Sequence, residues 1–216
     1  MLLNYLYENY FEKSEFCNAA NINLSQLGAL ESANLTPKAS YILEVGLHVK
    51  SFIAAHEEQQ IYQFYLKGQL VWLKQIEQKN ISTENGARHY FETQYNLAID
   101  KFLESDLGQN IVQIYPQTEW DLTEYNAIWR EFLAGTYGLC TRTGSPDQIF
   151  LKHVYIRFIE FITKRHQPDK IKQNLRDLLK TAVEELDKVE SDFAAHEVAL
   201  SSRQRCIINP RKDYLK

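Results

Sequence analysis

The polar and apolar positions of this chain change period along its length. Residues 1–37 break into short helical stretches. Asn4-Tyr5-Leu6-Tyr7 opens an apolar-rich helix, and Ser14 to Ala20 forms a second. Asn21-Ile22-Asn23 reads as a turn, after which Ser25 is placed to cap a third helix reaching Ala33. Pro37 blocks continuation. Phe16, Ala20, Ile22, Leu27 and Leu30 fall on one side, small Cys17 allows a close crossing, and Asn21 tolerates the left-handed conformation. The stretch therefore has the shape of a helix-turn-helix. Residues 41–49 then alternate strictly, with Tyr41, Leu43, Val45, Leu47 and Val49 apolar. That is the period of a half-buried strand. Gln60 to Leu66 is a candidate partner, so a short β ribbon is expected after the helix pair.

From Gly68 the helical period dominates. Gln69–Gln78 carries Leu70, Leu73 and Ile76 on one face. Ser82 or Thr83 caps a long helix with Ala87, Tyr90, Phe91, Tyr95, Ala98 and Phe102 at three- and four-residue steps. Asp121-Leu-Thr-Glu124 resembles a capping box, and the helix it starts holds Tyr125, Ile128, Trp129 and Phe132 before stopping at Gly135. Ser145-Pro146 opens another helix to about Arg165, apolar on most sides and so predicted to be central. After Pro168 a stripe from Ile171 to Phe193 holds for about six turns. The expected architecture is mainly α: a helix-turn-helix-like module with a short β ribbon over 1–67, and over 68–216 a bundle of four or five helices with a docked C-terminal tail.

Composition narrows the function classes. The 216 residues are 44% apolar, enough for a substantial core. The formal charge of −4 is unevenly spread. Residues 194–216 set five basic side chains against two acidic ones, a net of +3, whereas residues 1–40 set two against four, a net of −2. The helix Ser25–Ala33, which would read a DNA groove, has no Lys or Arg and carries Glu31. Specific nucleic-acid binding is therefore not expected. A homodimer that gathered Lys13, Lys38 and the tail arginines on one face would change that reading, and a homodimer is compatible with the sequence. Cys17, Cys140 and Cys206 are isolated, with no CxxC pair, so neither a zinc ribbon nor a disulfide scaffold is expected. No transmembrane run and no signal peptide are seen, and a soluble cytoplasmic protein is the expectation.

Candidate chemistry collects in two runs. One is Gly135-Thr-Tyr-Gly-Leu-Cys140 with Arg142; the other is His196-Glu197 with Ser201-Ser202-Arg203 and Arg205. His196 and Glu197 are the catalytic candidates, against the plainer reading of a helix-end histidine. HExxH fails because Leu200 stands where the second histidine would be. Gly-x-Ser-x-Gly, the P-loop and Gly-x-Gly-x-x-Gly are absent, so no metal and no cofactor are expected. Arg142, Arg203 and Arg205 with Ser201 and Ser202 can hold an anionic small molecule through bidentate bonds, or can tie the tail to acidic residues of the bundle. Tyr137, between Gly135 and Gly138, and His196 complete the ligand-binding set. Residues 194–209 also supply Leu200, Cys206, Ile207 and Ile208, apolar material that predicts docking near the 135–142 bend.

Several of these runs carry a resemblance. Pro37-Lys-Ala-Ser-Tyr41, Phe64-Tyr65 ahead of Trp72-Leu73, Gly135 to Cys140, and Phe193-Ala-Ala-His-Glu197 with Ser201-Ser202-Arg203 resemble an uncharacterised bacterial family, a domain of unknown function often labelled "natural product biosynthesis protein". Ala195 departs from the proline of that pattern. The resemblance implies an accessory or small-ligand-binding helical protein of small-molecule biosynthesis. Two alternatives stand beside it: an enzyme of that biosynthesis using His196 as acid/base, and a helix-turn-helix transcription regulator that senses a ligand.

Overall fold

The computed structural model describes residues 2–116 and 124–216, and it is mainly α with one small antiparallel sheet. The first half-module runs α1 (Leu2–Asn9), β1 (Tyr10–Glu12), α2 (Lys13–Ala19) and α3 (Leu24–Ser32), followed by β2 (Tyr41–Lys50) and β3 (Ala55–Leu66). Phe16 and Cys17 of α2 and Leu27 of α3 are buried, and Phe16 stacks on Tyr65 with ring centroids 4.8 Å apart. Asn21 takes a φ of 55° between the two helices, the left-handed turn its side chain tolerates. The cap of α3 is Asn23, not Ser25. Its side chain accepts from the Gln26 amide while Gln26 returns a bond to the Asn23 amide. A reciprocal box satisfies two donors, one more than a lone serine cap would.

The sheet order is β1-β3-β2. β1 is too short to show a period and was not foreseen. The ribbon differs from expectation in a second way. Only its base is half-buried, where Tyr41, Leu43 and Tyr62 pack on Leu6, Tyr10, Phe64 and Leu66. Beyond Val45 the alternation continues but nothing covers it, and Phe52 at the tip is fully exposed.

The helical body comprises α4 (Gln69–Gln78), α5 (Glu84–Glu104), α6 (Asp106–Ile114), α7 (Tyr125–Leu133), α8 (Thr136–Cys140), α9 (Pro146–Arg165), α10 (Gln173–Val189) and α11 (Asn209–Asp213). Thr83 caps α5 by accepting from the Gly86 amide, and Pro146 is in the first turn of α9. The capping box expected at Asp121 falls largely on residues 121–123, outside the described residues. α9 is the central helix: Ile149, Phe150, Val154, Phe158, Ile159 and Ile162 have no solvent exposure. Enclosing each such side chain contributes roughly 1.5–3 kcal/mol. Trp72, Phe91, Trp129 and Phe132 form an aromatic cluster beside it, with Trp72 and Phe132 centroids 4.9 Å apart. The Trp72 indole donates to the Leu35 carbonyl at 2.9 Å, joining α4 to the segment after α3.

Contacts cross the boundary expected at residues 67 and 68. Tyr10 donates to the Gly138 carbonyl at 2.9 Å, and Ser40 to the Gly135 carbonyl at 3.0 Å. Gly135 has a φ of 81°, and a Cβ there would stand 2.6 Å from the Lys38 carbonyl oxygen. The glycine run noted in the sequence is thus the joint between the sheet and the helices.

Candidate functional site

The stripe expected to continue to Phe193 ends as helix at Val189. The chain leaves α10 extended, and Glu190 bridges Thr141. The Arg142 amide donates to the Val189 carbonyl at 3.0 Å, and the Ser191 hydroxyl to the Leu139 carbonyl. Phe193 takes a φ of 58°, and a turn follows over residues 195–197, where the Glu197 amide donates to the Ala194 carbonyl at 2.8 Å. A 3-10 turn at Val198–Leu200 and a π-helical turn at Gln204–Ile208 lead into α11. Cys206 and Ile207 are fully enclosed, and Tyr214 donates to the carbonyls of Thr163 and His166 at 3.0 and 2.8 Å. The tail packs against the bundle beside the 135–142 bend.

This path divides the candidate residues among separate neighbourhoods. Ser202 donates to buried Glu190, which also pairs with Lys152 at 3.4 Å; both charged side chains are excluded from solvent. Burial pushes the Glu190 carboxyl above the usual carboxylate range, against the pull of Lys152 and Ser202. Arg203 lies 2.8 Å from Asp187 and 3.1 Å from Asp192. Arg142 pairs with Asp192 at 3.2 Å, and Arg211 with Asp187 at 2.9 Å. Burial acts to raise the Asp187 carboxyl, but the bond from Arg211 and the charge of Arg203 outweigh it, so its pKa falls. Arg205 approaches Glu160 at 3.5 Å. Ser201 donates to the Val198 carbonyl at 2.7 Å.

The remaining candidates lie apart from these. Tyr137 is buried, with its ring edge-on to His153 at 5.4 Å, and burial pushes its hydroxyl above the ordinary tyrosine range. His196 is mostly exposed and 3.9 Å from Glu197, whose other oxygen accepts from Tyr41 at 2.5 Å. Sequence reasoning missed Lys152, Asp187, Glu190 and Asp192. Lys152 had a visible signal, a cation between Ile149 and Val154 on the apolar side of the most apolar helix. The acidic partners had none, because carboxylates are abundant along the chain and only tertiary packing brings these to their cations.

Three cavities bear on ligand binding. One of ≈ 50 Å³ is bordered by Tyr5, Asn9, Thr141, Arg142, Ser191 and Asp192, room for little more than water. Another of ≈ 370 Å³ lies between α5 and α9, with Lys101, Ser105, Asp147 and Tyr155 in its wall. A groove of ≈ 500 Å³ runs between the α2–α3 turn and α4. Ala20, Ile22, Leu30, Leu70, Leu73 and Ile81 supply most of its wall, with Lys74 and Glu77 exposed beside it. Among the described residues no three His, Cys, Asp or Glu side chains gather into a metal-binding group, and no helix is long and apolar enough to cross a membrane.

Fold and site together define a mainly α protein whose C-terminal segment docks through enclosed apolar side chains and paired charges, and whose ≈ 500 Å³ groove is walled mainly by apolar residues. The chain belongs to the Family of unknown function (DUF6058), whose model matches residues 87–215. That span takes in the whole arginine–carboxylate cluster and begins after the groove. No curated protein and no solved structure matches the chain.

Proposed function

We propose that this is an accessory protein of the cytoplasm that binds a small ligand without covalent chemistry of its own, and that the ligand is received in the groove between the α2–α3 turn and α4. The observation that carries this reading is the ≈ 500 Å³ groove itself, apolar along Ala20, Ile22, Leu30, Leu70 and Leu73. Its volume suits a small molecule, and ligand sites are typically apolar with a few polar groups that fix orientation. Lys74 and Glu77 both stand at the rim; Lys74 is the group that an acidic head on an apolar body would meet, which keeps the ligand within the anionic class expected from the sequence. An anion at the tail would instead have to displace Asp187 or Asp192 from Arg203. Binding is favoured over acid/base catalysis because Glu197 is engaged by Tyr41 and His196 lines none of the three cavities. A place beside enzymes of small-molecule biosynthesis is supported by the resemblance of residues 135–140 and 193–203.

The test uses anilinonaphthalene sulfonate, a fluorescent probe with an apolar body and an anionic head. Saturable binding at one site is expected, with loss in Ala20→Trp, which fills the groove, while circular dichroism is unchanged. Unsaturable binding, or full binding by Ala20→Trp, rules the groove out.

A second reading is favoured by one observation: the helix pair around Asn21 is followed by a ribbon, and the groove abuts that pair. A regulator that senses a ligand beside its helix-turn-helix would be arranged this way. The exposed side of α3 carries Leu24, Ser25, Gln26, Ala29 and Ser32, with no cation, while Glu31 is turned toward Tyr65, from which it accepts at 2.7 Å. A phosphate backbone finds no counter-charge on that helix, so sequence-selective DNA binding is not part of the proposal. A gel shift at low salt decides between the two, and a selective shift would establish the regulator.

A further inference from the structure

The ribbon leaves one edge of the sheet open. β2 is ten residues long and lies at the end of the order β1-β3-β2. Its register with β3 runs without a slip from Tyr41↔Phe64 to Lys50↔Ala55. At the hairpin the Ser51 amide donates to the Ala54 carbonyl at 2.9 Å, which fixes the phase of the ladder. Hydrogen-bonded pairs alternate along antiparallel strands. Residues 41, 43, 45, 47 and 49 therefore bond to β3, and Ile42, Glu44, Gly46, His48 and Lys50 turn their N–H and C=O groups outward. Long regular edges are usually guarded by a proline, a bulge, extreme shortness or charged side chains, and β2 carries Glu44, His48 and Lys50. This one has no proline and no bulge along β2.

We propose that the free edge of β2 is a self-complementary dimer interface, occupied by β2 of a second copy of this chain running antiparallel about Leu47. In that register Glu44 stands opposite Lys50 of the second copy, and Lys50 opposite its Glu44. Gly46 meets His48, and Val45 meets Val49. Among the described residues neither Glu44 nor Lys50 has an ion-pair partner within its own chain. On the other face Val45, Leu47 and Val49 of both copies join into one apolar stripe. Leu47 and Val49 are 41% and 55% exposed in the single chain. Ile42, near the start of β2, and Phe52, in the hairpin turn beyond its end, are 63% and 101% exposed. A shift of two residues, centring the pairing on Gly46, sets Lys50 against Ile42 and loses both ion pairs. Backbone bonds supply the affinity of strand addition, and side-chain pairs set its register. The inference is independent of the groove reading.

The test is sedimentation equilibrium of the full chain across the micromolar range, with charge reversals on the ribbon. The wild type is expected to approach twice its 25.3 kDa mass. Glu44→Lys alone and Lys50→Glu alone each turn both symmetry-related pairs repulsive, and each should weaken association about tenfold. The double variant, Glu44→Lys with Lys50→Glu, should restore it. Both sites are exposed, so circular dichroism and probe binding in the groove should not change. A wild type that stays monomeric overturns the proposal. So does a dimer indifferent to both reversals, or a double variant without recovery, since either places the contact elsewhere or in another register. Association with phosphatidylcholine vesicles in place of self-association would assign the apolar tip to a lipid surface instead.

Discussion

Lys152 Nζ lies 3.4 Å from Glu190 Oε1; Glu190 is fully enclosed and Lys152 nearly so. The pair joins the central helix α9 to the point where the chain leaves α10, and Ser202 adds a bond from the tail. Removing water from two charges costs more than their attraction returns unless every polar atom is satisfied. Glu190 Oε2 has no hydrogen-bond partner. We expect Glu190→Ala to destabilise by about 3–5 kcal/mol, because it strands a buried ammonium group. Lys152→Met with Glu190→Gln should recover most of that loss. Urea unfolding of the two variants against wild type measures both numbers, and a double variant as unstable as Glu190→Ala would show that the pair is not the source.

The tail should behave as part of the fold, with its apolar contact outweighing its exposed ion pairs. Ile207 is fully enclosed, so Ile207→Ala should cost about 2–5 kcal/mol. Arg142→Ala should cost less than about 1 kcal/mol, since its pair with Asp192 is well exposed on both sides. Arg203→Ala should fall between them. Its guanidinium is largely covered and bridges Asp187 and Asp192, which would otherwise face each other. Thermal unfolding of the three variants gives the order, and Arg142→Ala ranking first would reverse this account.

The joint at Gly135 and Gly138 makes a coupled prediction. Alanine at Gly135 meets both a φ of 81° and the Lys38 carbonyl oxygen at 2.6 Å, and neither can move cheaply. Alanine at Gly138 meets the Ser40 side-chain oxygen at 2.0 Å. That oxygen is removable, so Ser40→Ala should recover part of the stability lost in Gly138→Ala and none of that lost in Gly135→Ala. A double-mutant cycle measures the coupling; equal effects on both glycines would count against it.

Acid should weaken the fold through His153. Burial first, then the charges of Lys152 and Arg157, push its pKa down to about 4. An unfolded histidine titrates near pH 6.5. The depressed group contributes stability that is fully present above pH 6.5 and is lost as the pH falls toward 4, because only the unfolded chain takes the proton readily. The loss is at most about 3 kcal/mol. In His153→Phe the fall in melting temperature between pH 7 and pH 4.5 should be shallower than in wild type. Parallel pH profiles would assign the acid sensitivity to carboxylates instead.

Local signals in the sequence settled much of the fold. The period of Gln69–Gln78, the Thr83 cap, the Ser145-Pro146 start and the apolar run to Arg165 each depend on neighbours within a turn or two, and each is where the pattern placed it. Asn21 belongs with them, since its left-handed φ follows from its own side chain and the crowding at Cys17.

The sequence by itself determined where the longer helices run, which of their faces are apolar, and that the two chemistry-bearing runs would stand out. Tertiary structure decided the rest. Whether Leu47 and Val49 are covered depends on how far the ribbon extends past Leu6 and Tyr10, a matter of distance that alternation does not encode. Whether Arg203 holds a ligand or a carboxylate depends on the path of residues 193–202, which brings it to Asp187 and Asp192. The groove has no sequence signature at all. Ala20, Leu30, Leu73 and Ile81 read as ordinary core positions, and only the gap left between the α2–α3 turn and α4 makes them a wall. Periodicity reports which side of an element is apolar; what that side meets is fixed by packing between elements far apart in the chain.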